Sequence, residues 1–206
     1  MTLQNRVLPT GDITADPARG TLTGNRGILH DDHHRLATAR WRHPHWISCS
    51  LEWKDTRRTP MTPGTWTELF FLDEAVAMAA GHRPCALCRS PAFRGFQAAW
   101  SRATGLPADA PAIDRTLHAA RVTRDRTQVR HDVGLSTLPD GTFILWQGTP
   151  HLVRADLLHP FLPAAYGPPL PRPEGIVTVL TPAPMVATLA AGYAPLIHPS
   201  GRNPET

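Results

Sequence analysis

Residues Phe70–Arg89 read FFLDEAVAMAAGHRPCALCR, and the fold turns on how this run is divided. Thr65–Leu72, TWTELFFL, is dense in aromatic and bulky apolar residues and predicts a strand. Asp73 stands where a helix N-cap is wanted, ahead of EAVAMAA, and Gly81 stands where that helix must stop. Pro84 falls where a second helix could begin, because the first helical residue needs no N–H. That helix is expected to carry CALCRSPAFRGFQAAWSRATG, with a kink at Pro91. Cys85 and Cys88 would then sit at a helix start, where the helix end favours thiolates.

Upstream, HWISCSLEW predicts a strand bearing Cys49. The first forty residues read as short extended pieces broken at PTGD, DPARG and GNRG. Downstream, LPADAP reads as a linker and AIDRTLHAARVTRDR as a helix with Ile113, Leu117 and Ala120 on one face. LPDG is a hairpin turn leading into the strand TFILWQG. HPFLPAAYGPPLPRPEG is expected to run over the surface, followed by the strand IVTVL and the helix PMVATLAA. The expectation is an α+β protein of short mixed or antiparallel strands, with three to four helices and a small zinc-stabilised module. Its segments are 1–40, 41–105 and 106–206, packed as one compact unit.

With 206 residues and 41% hydrophobic residues, the chain can bury a sizeable core. It lacks any run of about 18 apolar residues, so no membrane span is expected. The first residues lack an apolar signal region. Three cysteines are too few for a disulfide framework and point to a reducing cytoplasm. The net charge is +4, and Lys54 is the only lysine. Arginine suits phosphate contact because its fork is planar and always charged. Arg83, Arg89, Arg94 and Arg102 beside the cysteine pair, with Arg57 and Arg58 before it, would serve DNA, RNA or a phosphorylated ligand.

A redox Cys-x-x-Cys usually follows a strand in a βαβ unit; here a helix and Gly-His-Arg-Pro precede it, which favours metal. A tetrahedral zinc needs further nitrogen or sulfur donors. Cys49 is the remaining cysteine, and His45 shares its strand face by an x-x-x spacing, so the expected ligands are Cys49, Cys85, Cys88 and His45. His82, His43, Glu52 and Asp73 are further candidates for the fourth position.

The run FFLDEAVAMAAGHRPCALCR resembles the zinc-binding module at the N-terminus of Ada-type DNA repair proteins, over about Arg42–Arg89. It also resembles short zinc knuckles in which His-x-x-x-Cys precedes Gly-x-x-Pro-Cys-x-x-Cys, and a bacterial group sharing GNRG and LH segments that implies no activity. The Ada resemblance implies a zinc site. It does not carry methyl transfer with it, because the accepting cysteine would be His45 here. A second resemblance is to zinc deaminases, through Pro84-Cys85-x-x-Cys88. It implies a catalytic zinc on three cysteines, with Glu52 as proton shuttle. Strand alternation would put Glu52 on the opposite face from the one such an enzyme needs.

Elsewhere, ILHDDHHRL gathers His30, Asp31, Asp32, His33 and His34, ligand types for a harder metal and equally the make-up of a solvated turn. Asp114 and His118 sit at i, i+4 on one helical face and would suit acid–base work if His30 converged on them. GNRG could hold an anion through backbone N–H groups and Arg26.

Overall fold

The computed structural model describes residues 2–54 and 59–202. Arg57 and Arg58 lie outside the described residues. The chain is α+β, with two six-stranded sheets and four α-helices among the described residues.

The first sheet takes β1 (Gln4–Val7), β2 (Ile13–Ala15), β3 (Leu22–Asn25), β4 (Ile47–Ser50), β5 (Leu69–Phe71) and β6 (Arg83–Pro84), in the order β2-β1-β5-β3-β4-β6. The β1–β5 and β4–β6 pairs are parallel and the others antiparallel. Strands from either side of residue 40 therefore alternate within one sheet. One core cluster likewise joins Val7 and Leu22 to Leu69, Phe71, Phe143 and Leu180.

Helix α1 (Glu74–Ala79) follows β5 directly, and all six of its residues are buried. Asp73 caps it, accepting from Val76 N at 3.0 Å. The same carboxylate accepts from Tyr166 Oη at 2.8 Å and from His198 N at 2.9 Å. These bonds occupy Asp73 within the core and remove it as a metal ligand. Asp73→Ala leaves three donors unmet, so we expect a loss of about 3 kcal/mol in urea denaturation. Gly81 reverses the chain at φ +85°, and a Cβ there would lie 2.5 Å from Arg121 Cδ.

Pro84 lies in a strand instead of opening a helix. Proline is tolerated because β6 is the sheet edge: Arg83 N and Cys85 N donate to Trp46 O and Ser48 O, and residue 84 has no bond to supply. Residues 85–89 form a turn, and α2 (Ser90–Thr104) begins only after it. Pro91 therefore sits in the first helical turn and causes no kink.

Helix α3 (Ala110–Arg121) starts earlier than expected, because Asp109 caps it by accepting from Ala112 N at 3.0 Å. It also ends earlier, because Val122 pairs back to Gln128 around a turn.

The second sheet holds β7 (His131–Gly134), β8 (Phe143–Trp146), β9 (Thr149–Arg154), β10 (Leu157–Pro160), β11 (Leu170–Pro171) and β12 (Ile176–Val179). It is antiparallel throughout, in the order β11-β10-β9-β8-β12-β7. The proline-rich stretch is no mere surface run, since it supplies β11 and the buried Tyr166. Helix α4 (Ala183–Ala190) packs with α2 and α3 around Phe96, Trp100, Ile113 and Leu189.

Candidate metal centre

β4 carries Cys49, and β6 pairs with it in parallel, Ile47 opposite Arg83 and Ser48 opposite Pro84. That register delivers the chain into the 85–89 turn beside Cys49. The three Sγ atoms all lie within 4.8 Å of one another. In a tetrahedron with bonds of about 2.3 Å, neighbouring sulfurs stand about 3.8 Å apart, so the three lie close enough to share one zinc ion. All three are free thiols.

The turn, and not a helix end, prepares the sulfurs. Leu87 N donates to Cys85 Sγ at 3.4 Å. The Cys85 thiol is lowered to about 5, first by a hydrogen bond from Cys49 and also by the backbone N–H groups of Cys88 and Leu87. Cys49 is raised by that same bond and by burial, and Cys88 is raised chiefly by burial. Of the three sulfurs, Cys85 is thus the one most favoured as a thiolate.

His45, the expected fourth ligand, is not brought to the sulfurs. Its Nδ1 lies 2.9 Å from Asp114 Oδ2 and its side chain is 56% exposed. It precedes β4, where strand alternation no longer fixes its direction, and the buried carboxylate on α3 captures it. His43 turns its ring toward His45 and accepts from His45 N through Nδ1. His82 is fully buried between Trp46 and Phe71, with Nε2 accepting from Arg26 Nε at 3.2 Å.

A cavity of about 530 Å³ opens on all three cysteines. Thr23 and Asn25 of β3, Ile47 and Cys49 of β4, and Trp66, Glu68 and Phe70 in and ahead of β5 line it at every second residue. This is one face of the first sheet; Leu22, Leu69 and Phe71 fill the core behind the other. β4 ends at Ser50, so alternation does not govern Glu52, and Glu52 lines the same cavity as the cysteines. Glu68, which the sequence reading passed over, is 4% exposed and accepts from Met61 N at 2.8 Å through Oε2. Its signal was the alternation of Trp66, Glu68 and Phe70. No Lys, Arg or His is among the described lining residues.

The other expected clusters separate. His30 Nδ1 lies 2.7 Å from Thr67 Oγ1, and His30 Nε2 lies 3.3 Å from Thr62 O. Asp114 receives both arms of Arg83 at 2.8 Å. His118 sits edge-on to Trp41 and Trp46 and near Arg121. Asp31 folds the 31–35 turn, accepting from His33 N and Arg35 N at 2.9 Å. Of the arginines expected to meet phosphate, Arg83 is buried against Asp114 and Arg89 against Glu74. Arg94 and Arg102 stay at the surface, bonded to Ser90 Oγ and Ala191 O. Among the described residues no helix is long and apolar enough to cross a membrane. Comparison with protein-family models, with curated proteins and with solved structures returns no match.

Proposed function

We propose that Cys49, Cys85 and Cys88 hold a zinc ion whose fourth position faces the cavity, and that the site performs metal-assisted hydrolysis. The observation that carries this reading is that all three clustered cysteines line one cavity of about 530 Å³. A structural zinc is closed by four protein ligands, whereas a catalytic zinc keeps three and an open position. Zinc bound there supplies Lewis acidity to whatever enters from the cavity. Glu52, exposed and lining the same cavity, would take up and return a proton of the attacking water. Glu68 is held by Met61 N and orients a donor group of the substrate. Trp53, Trp66 and Phe70 offer planar apolar walls. With two carboxylates and no cation among the described lining residues, the cavity suits a neutral or cationic substrate with a planar part. The three-cysteine cluster is compatible with a zinc module, and methyl transfer forms no part of this reading.

Cobalt(II) substitution tests the open position without requiring a known substrate. Added imidazole is expected to shift the visible bands of the cobalt protein, because a ligand enters the fourth position. Bands that do not move would mean a closed, structural centre and would overturn the hydrolytic reading. Once a substrate is in hand, Glu52→Gln should lower kcat by about a hundredfold with zinc content unchanged.

A further inference from the structure

On the opposite face of the first sheet lies a second cavity, of about 220 Å³. The two cavities share no described lining residue: Asn25 and Ile47 line the cysteine cavity, while Arg26, directly after β3, and Trp46, directly before β4, line this one. Among the described residues five arginines line it, Arg26, Arg40, Arg121, Arg126 and Arg130, against a single carboxylate, Asp12.

Two of these arginines are buried, each 2% exposed. Their guanidinium carbons stand 4.0 Å from the centre of the Trp46 ring. Among the described residues neither makes a salt bridge. Arg26 donates to His82 Nε2, Gly11 O and Ala80 O. Arg121 donates to Gly81 O and Pro44 O and contacts His118 Nδ1 at 3.2 Å, and its Nε–H has no partner. Carbonyl dipoles satisfy part of these forks but do not neutralise two buried charges. Burial, and the nearness of Arg40, lower Arg26 to about 9.

We infer that this cavity is an anion site for a terminal phosphate group, free or as a monoester. A carboxylate has one charge and two oxygens and would balance only part of the positive charge gathered here. A phosphate dianion offers three or more acceptor oxygens and the charge that this surplus lacks. The buried pair forms the floor. Arg126 and Arg130, both exposed, form the rim that receives the ligand. Trp41, half-buried on the wall, gives a ring face for a planar group carried by the ester. The site is independent of the cysteine centre and stands whether or not the hydrolytic reading does.

The probes are inorganic phosphate and one short oligonucleotide prepared with and without a 5′-phosphate. Inorganic phosphate should raise the unfolding midpoint above that in chloride of equal ionic strength. The oligonucleotide should compete with it only when 5′-phosphorylated. Arg126→Ala combined with Arg130→Ala, at exposed positions, should weaken phosphate binding about tenfold with metal content unchanged. Arg26→Lys keeps a buried charge but loses the fork, and should abolish binding while the chain still folds. No phosphate effect beyond chloride, wild-type binding in the rim variant, or equal competition by both oligonucleotides would each overturn the proposal. Equal competition would instead indicate general polyanion contact.

Discussion

Cys85→Ser is expected to reduce bound zinc from about one per chain to near zero and to lower the unfolding midpoint to that of chelator-stripped wild type. Cys85 is the most buried of the three, at 8% exposure, and it is the sulfur that Leu87 N and the Cys49 thiol already stabilise as a thiolate. Serine is not ionised near neutral pH, so it supplies neither the charge nor the soft donor. Because the other two thiols are raised above their usual value, zinc must displace protons from them. Affinity should therefore rise with pH and fall in acid. Metal analysis after gel filtration, with a chelator titration at two pH values, checks both statements. A Cys85→Ser protein that retained stoichiometric zinc would refute the assignment of the ligands.

Arg83→Ala should cost about 3–5 kcal/mol of stability, because it strands a buried carboxylate. Arg83 Nε and Nη2 each lie 2.8 Å from Asp114, whose side chain is 1% exposed, and the guanidinium also stands over Phe93. His45, which is half-exposed, is left as the remaining partner of Asp114. Lysine cannot reproduce the two-armed contact, so Arg83→Lys should recover only part of the loss. Replacing both partners, as Arg83→Met with Asp114→Leu, should recover most of it, since no buried charge then remains. Denaturant melts of zinc-saturated protein measure all three. Equal losses in the single and double variants would show that the pair is not what sets the stability here.

The elements legible in the sequence are those with strong local chemistry. Asp73 and Gly81 bracket α1 as capping rules require, and Leu69–Phe71 is apolar enough to be a strand in any context. What escaped the reading depends on partners far along the chain. β6 is two residues long and exists only because β4 lies beside it. β7 and β11 are edge strands, where polar residues and prolines are tolerated and no apolar alternation need appear. The cysteine trio was legible because no other thiols compete for the same geometry. The expected role of His45 was not met, because Asp114, 69 positions later, is the group that holds it. Nothing local marked Arg83 and Arg89 as interior residues, because the carboxylates that receive them are distant in sequence.

The alternation along β3 and β4 also limits how this region can change over evolutionary time. Asn25 and Arg26, or Trp46 and Ile47, are chain neighbours that serve opposite sides of one sheet. Substitution at one leaves the other in place. An insertion or deletion of a single residue would turn every later side chain in the strand through the sheet, moving Cys49 away from its partners and carrying a tryptophan or an arginine toward the metal side. Length variation among descendants of this chain should therefore collect in the segments between strands, with the residues from 22 to 26 and from 46 to 50 kept at fixed spacing.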